Sequence, residues 1–139
     1  MPAGDLTPRL VDTSVWIRAD RKGQDVLKAR LVELLIAGSV WICQPIRTEL
    51  LIGVKTPERW GILDKQLSAL EQAPLTDQIW ERAARIGQQL ARKGQSVPLT
   101  DLVIAATALH YGLTLWSVDG DVQCIQKVVP LNLDRFGVE

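Results

Sequence analysis

Short β-rich apolar runs alternate along this chain with longer segments whose apolar residues recur three and four apart, and that alternation constrains the fold more than any other feature. Arg9-Leu10-Val11-Asp12 is a first strand ending in an acid, and Gln24 to Ala37 follows at helical spacing until Gly38 closes it. Val40-Trp41-Ile42-Cys43 is a second β-rich run. Pro45 after it suits the first turn of a helix carrying Ile46, Leu50, Leu51 and Val54. A further helical stretch is expected from Pro57 through Gln72, then a short extended piece at Ala73-Pro74-Leu75. Thr76 is placed to cap a helix that runs to Lys93, with Ile79, Ala83, Ile86 and Leu90 on one face and Gly94 at its end.

Gly94 to Leu99 reads as a loop. Thr100 is expected to cap a helix from Asp101 to Tyr111, apolar nearly all round and ended by Gly112. Leu113-Thr114-Leu115-Trp116 then reads as a strand buried on both faces, followed by a short helix near Val122 to Lys127 and a strand at Val128 to Leu131. Parallel neighbours need a helical crossover, so this order predicts one α/β layered domain over residues 1–139 with a parallel sheet. Only residues 1–8 and the tail after Leu133 are expected to be loosely held.

Composition excludes several classes. With 139 residues, 47% of them hydrophobic and 23% charged, the chain is too apolar for a disordered protein and long enough to bury a core. No apolar run reaches the roughly 18 residues of a membrane span, and Met1 to Leu10 has no signal-peptide pattern, which predicts a cytoplasmic protein. Cys43 and Cys124 are far apart and expected to be buried thiols rather than a disulfide or a metal pair. Sixteen basic and sixteen acidic side chains argue against a polybasic nucleic-acid tail. If several carboxylates are neutralised by metal in one site, however, the remaining surface is net basic and a polyanionic substrate is compatible with the balance.

The acids fall in related places. Asp12 ends the first strand and is followed by Thr13-Ser14, whose hydroxyls can bond backbone or water; Glu49 sits within RTELLIG, expected to be a largely buried segment; Asp101 opens the apolar helix; Asp119 and Asp121 follow the fourth strand in SVDGD. In a doubly wound sheet, ligands bind beyond the carboxyl ends of the strands, where Asp12 and Asp119 would point. Carboxylates sharing a cleft raise one another's pKa values unless hard cations hold them, so Mg²⁺ or Mn²⁺ is expected, and the lack of a Cys/His cluster argues against zinc. An acid-only metal site suits phosphodiester hydrolysis. His110, the single histidine, lies near the end of the apolar helix away from Ser14 and Ser117, and neither GxxxxGK nor GxGxxG is present.

At these residues the chain resembles the PIN-domain nucleases, most closely the VapC-type toxins of bacterial toxin–antitoxin pairs. The matching segments are LVDTSVWI at 10–17, TELLIG at 48–53, PLTDLVIAATALHYGLTLWSVDGD at 98–121 and VVPL at 128–131. The resemblance implies a three-layer sandwich around a parallel sheet of order 3-2-1-4-5 and a metal-dependent endoribonuclease. It implies that Asp12, Glu49, Asp101 and Asp119 form the catalytic set, with Asp12, Asp101 and Asp119 on Mg²⁺ or Mn²⁺ and Asp121 secondary. It also implies a homodimer held by a VapB-type antitoxin. Ser117 stands where Thr is frequent, and Gly120 and Val122 depart from the commoner residues of that loop.

Each residue also has a plainer role. Asp101 alone would serve as a first-turn helix charge, Asp12 as a turn former and Glu49 as a solvated helix residue. Ser14 and Ser117 either orient ligands or satisfy their own backbone. Arg18, with Arg21 and Lys22, and Arg47 are candidates for holding RNA phosphates, and each taken separately is equally a solvated surface charge. Trp41, Trp80 and Trp116 are expected in the core, Trp16 and Trp60 at a dimer or antitoxin surface. The competing functional reading is a catalytically silent PIN-fold module that binds RNA or protein; an aspartyl-phosphate enzyme ranks last, because Asp12-Thr13-Ser14 lacks the DxD pattern.

Overall fold

The computed structural model describes residues 4–138. Its elements run β1 (Arg9–Val11), α1 (Thr13–Ala19), α2 (Asp25–Ile36), β2 (Val40–Ile42), α3 (Gln44–Ile52), α4 (Pro57–Ser68), β3 (Glu71–Gln72), α5 (Asp77–Arg92), α6 (Leu99–Tyr111), β4 (Thr114–Trp116), α7 (Asp121–Ile125) and β5 (Leu133–Asp134). The strands form one sheet of order β3-β2-β1-β4-β5 with every pairing parallel, as expected. Leu10 faces Leu115 and Val11 faces Trp116 across the central β1/β4 pair.

That register sorts side chains to two cores. Leu10 and Leu115 lie in the larger cluster with Ile79, Ala83, Ile86 and Leu90 of α5 and the buried run of α6. Val11 and Trp116 face the other way, onto Val15 and Ala19 of α1 and Leu27, Leu31 and Leu34 of α2. Successive residues of a strand point to opposite faces, so a sheet apolar on both sides takes helices on both sides. Leu102 through Ala108 of α6 are all buried, as its all-round apolarity predicts, and α5 approaches it closely: a Cβ on Gly87 would sit 3.0 Å from Leu102 Cδ1. Gly112, at φ 65°, ends α6 in the left-handed region that glycine occupies without steric cost and turns the chain into β4.

Several boundaries differ from expectation. Thr13–Ala19 is a helix, entered directly from β1, rather than only a turn after Asp12. The stretch from Pro57 stops at Ser68, and the strand beside β2 is Glu71–Gln72, two residues before the expected extended piece. Thr76 does cap α5, its side chain accepting from the Ile79 N–H, but α6 begins at Leu99 with Pro98 at the cap position, so Thr100 lies inside the helix and caps nothing.

The fifth strand is Leu133–Asp134 and not Val128–Leu131, because Val128 and Val129 continue the turns of α7 by donating to the Ile125 carbonyl. The tail beyond Leu133 is therefore tied down through Phe136, whose carbonyl accepts from Trp116 Nε1 at 2.9 Å. At the other end residues 1–3 lie outside the described residues, while Leu6 packs against the α2 face and its carbonyl accepts from Ser39 Oγ at 2.6 Å. Trp80, expected in the core, is 49% exposed on α5.

Candidate active site

The strand order reverses between β1 and β4, since β1 has β2 on one side and β4 on the other. A crevice opens beyond the carboxyl ends at such a point. Asp12 stands at the end of β1, its N–H donating to the Trp116 carbonyl at 2.9 Å, and Ser117 to Asp121 leave β4 beside it.

Asp12 is 4% exposed, and one of its oxygens is held by two hydroxyls: Ser14 Oγ donates to Oδ2 at 2.6 Å and Ser117 Oγ donates to the same atom at 2.9 Å. The two hydroxyl oxygens are 3.3 Å apart. Each carries one proton, so while both donate to the carboxylate neither donates to the other. Ser14 Oγ in turn accepts from the Val118 N–H at 3.2 Å, and Ser117 Oγ from the Asp119 N–H at 3.1 Å. The serines thus tie the buried acid to the loop after β4.

Glu49 comes to the same cleft from α3, where Thr13 Oγ1 donates to Oε1 at 2.9 Å. It is exposed; Ile46 and Leu51 of that helix are the buried positions, so the acid lies on the solvent side of a segment expected to be largely buried. Asp101 enters from the first turn of α6, with Asp119 and Asp121 opposite. Each of these three offers a carboxylate oxygen, and the three oxygens lie within 4.8 Å of one another. The Asp101 carboxyl is pushed up to about 7, first by burial and then by the charges of Asp119, Asp12, Asp121 and Glu49. All four of the other acids therefore act electrostatically on Asp101.

This donor set fits a hard divalent cation. Oxygens bound at 2.0 to 2.6 Å to one ion are at most about 5 Å apart, and carboxylates that repel one another this strongly are stabilised by a positive charge among them. No histidine or buried thiol belongs to the set. Cys43 lies near Asp12 and Glu49, but burial and then those two charges push its thiol up to about 12, which keeps it protonated and inert. Cys124 is half-buried, and both cysteines are free.

A recess lined by Ser14, Ile17, Arg18, Arg21, Val118 and Asp119 opens beside the acids. Arg18 is half-buried and Arg21 exposed. Arg47 is paired with Asp64 of α4, which engages the guanidinium away from solvent phosphates. Two contacts escaped the sequence. Thr13 holds Glu49, and Arg135 Nη1 donates to the carbonyls of Ser117 at 3.0 Å and Asp119 at 2.6 Å. No local pattern signals Arg135, because its partners are main-chain atoms on another strand end.

The PIN domain family model matches residues 9–128. The chain belongs to the PIN-domain family. This PIN domain is 31% identical to Ribonuclease VapC18 of Mycobacterium tuberculosis (strain ATCC 25618 / H37Rv) over 113 residues, 78% of this chain and 80% of that protein. It is 28% identical to VapC ribonuclease Mb1587 of Mycobacterium bovis over 131 residues, 91% and 98% of the two chains. Among solved structures, VapBC2 from Rickettsia felis bound to a DNA fragment from their promoter aligns at a TM-score of 0.73 with 22% identity, covering 92% of this PIN domain and 98% of that chain. That likeness concerns the fold.

Proposed function

We propose that this chain, taken as one PIN-like domain over residues 1–139, is a metal-dependent endoribonuclease that hydrolyses RNA phosphodiester bonds as the toxin of a VapBC-type pair. The observation that carries this reading is the gathering of Asp12, Glu49, Asp101, Asp119 and Asp121 at the sheet's switch point in a chain similar along most of its length to named VapC ribonucleases. Asp12, Asp101 and Asp119 would hold Mg²⁺ or Mn²⁺, with Asp121, whose carboxylate clusters with those of Asp101 and Asp119, beside them. Bound there, the cation supplies Lewis acidity toward a phosphodiester and acidifies water.

The chain's own residues do the rest. Ser14 and Ser117 hold one oxygen of Asp12 by two hydrogen bonds and so aim its carboxylate. Thr13 fixes one oxygen of Glu49, leaving the other to orient the attacking water and take its proton. Arg18 and Arg21 line the adjoining recess and serve the phosphates on that side; Arg47 serves them only by leaving Asp64. Assembly as a homodimer and capture by a VapB-type antitoxin belong to the same reading, as does action in the cytoplasm. Trp60 and Ile62 of α4 and Trp80 of α5, each about half exposed, offer apolar surface for those contacts. None of the described helices is long and apolar enough to cross a membrane.

The test is cleavage of a mixed pool of structured cellular RNAs by the purified chain with Mg²⁺ or Mn²⁺, against EDTA and against Asp101→Asn. Cutting that both treatments abolish is the expected result. Cutting that survives EDTA refutes the metal mechanism, and a folded, antitoxin-free chain that cuts no RNA with either metal favours the silent binding module.

A further inference from the structure

Arg135 lies against the acids and has no part in the chemistry above. It follows directly on β5, and its neighbours are fixed on both sides: the Ser117 N–H donates to the Asp134 carbonyl at 3.2 Å, Asp134 Oδ2 accepts from Arg9 Nε at 2.7 Å, and Trp116 Nε1 donates to the Phe136 carbonyl. From this anchored segment the guanidinium reaches back, and Nη1 gathers the carbonyls of Ser117 and Asp119. Those carbonyls bracket Val118 and Asp119 in a stretch with no regular secondary structure. Pinning both fixes the peptide planes on either side of the pair, which sets the direction of the Asp119 Cα–Cβ bond. Asp119 Oδ1 passes the restraint on by accepting from the Asp121 N–H at 3.0 Å.

Packing does not account for this side chain. Arg135 Nε is buried and meets no acceptor among the described residues, a desolvation cost that an apolar side chain of similar length would not carry. What an apolar replacement loses is the two-carbonyl clamp on the loop that presents two of the three clustered carboxylates. We propose that Arg135 is a positioning residue for the acidic centre, holding the Ser117–Asp119 main chain so that Asp119 and Asp121 stay gathered with Asp101 for a divalent cation. The proposal rests on the metal reading above and adds to it a residue of the C-terminal segment.

The experiment titrates Mn²⁺ alone into the chain of residues 1–139 by electron paramagnetic resonance, with thermal melts of each metal-free variant. Arg135→Met is expected to weaken Mn²⁺ binding about tenfold, the scale of a lost outer-shell contact, with the metal-free melting temperature moved by no more than about 3 °C. Arg135→Lys keeps a cation and a donor without the planar fork and is expected to fall between Met and wild type. Arg82→Met, an exposed arginine on α5, is expected to bind Mn²⁺ as wild type does. Wild-type affinity in Arg135→Met overturns the proposal alone; if that variant does not fold, wild-type affinity in Arg135→Lys does so. Absence of Mn²⁺ binding by the wild-type chain overturns the metal centre and the proposal together.

Discussion

Ser117 and Asp12 lie 105 positions apart in the chain, and the Ser117 hydroxyl donates to Asp12 Oδ2 at 2.9 Å with both residues buried. The bond joins the ends of β1 and β4 across the switch point and leaves the other oxygen of Asp12 for a ligand. Ser117→Ala removes one of two donors to that carboxylate while Ser14 keeps the other. Metal affinity and RNA cleavage should fall about 10- to 100-fold, with a stability loss of about 1–3 kcal/mol for the hydrogen bond to a charged group. Mn²⁺ titration and urea unfolding of the same preparation separate the two effects. An unchanged affinity alongside a stability loss would reduce Ser117 to a purely structural tie.

The Asp101 carboxyl, raised from 3.8 to about 7 by burial and its acidic neighbours, makes the metal-free chain pH-sensitive. Folding binds a proton wherever the folded pKa exceeds the unfolded one, so this group's contribution is fully present below about 3.8 and is lost as pH rises through about 7. In EDTA the wild-type melting temperature should drop between pH 5 and pH 8. Asp101→Asn cannot ionise and should be more stable than wild type at pH 8 by about 1–2 kcal/mol once solvent screening is allowed for, and so melt higher. Saturating Mn²⁺ should reverse that order. The same pH slope in Asp101→Asn and wild type would show that the acids do not crowd Asp101 as the geometry requires.

How much of this site was legible in the sequence follows from where each contact is made. Asp12, Asp101 and Asp119 stand in motifs whose order along the chain fixes their place at strand ends and a helix start, and Glu49 stands in the motif of α3. Arg135 bonds main-chain carbonyls, and a carbonyl carries no residue identity to read. The same holds for the misplaced strands. Glu71 and Gln72 are both exposed and polar, and they form β3 because their backbone pairs with Trp41 and Ile42 on the sheet's edge. Val128-Val129 has strong β propensity, yet both follow α7 as turns, and the pairing with Leu115 and Trp116 falls to Leu133 and Asp134. Trp80 lies outside the core because Ile79, Ala83, Ile86 and Leu90 already fill the buried face of α5, and aromatic character alone does not tell which face of an amphipathic helix a residue takes.

Thiol chemistry separates the two cysteines. Cys43 is buried beside Asp12 and Glu49 with its thiol pushed up to about 12, whereas Cys124 is half-buried on α7. In the folded chain a disulfide reagent at pH 8 should modify Cys124 well before Cys43, and guanidinium should bring both into reaction. Mapping the labelled peptide by mass spectrometry decides the order. Early modification of Cys43 would show that the core around the end of β2 opens to solvent.

Arg9 makes the final case, because it is a buried cation at the N-terminal end of β1 whose closest carboxylate belongs to the last strand. Arg9 is 4% exposed; its Nε donates to Asp134 Oδ2 at 2.7 Å, and its Nη2 lies 3.2 Å from the exposed Asp5. Removing one member of a buried pair strands the other, which costs about 3–5 kcal/mol when nothing replaces it. Asp5 remains as a weaker partner, so Asp134→Ala should cost about 2–3 kcal/mol in urea unfolding. Replacing both members, Arg9→Met with Asp134→Leu, removes the stranded charge along with the pair and should recover most of that loss. If the double variant is no more stable than Asp134→Ala, the carboxylate acts on the C-terminal segment by itself, through its bond from the Phe136 N–H at 3.0 Å, and not through Arg9.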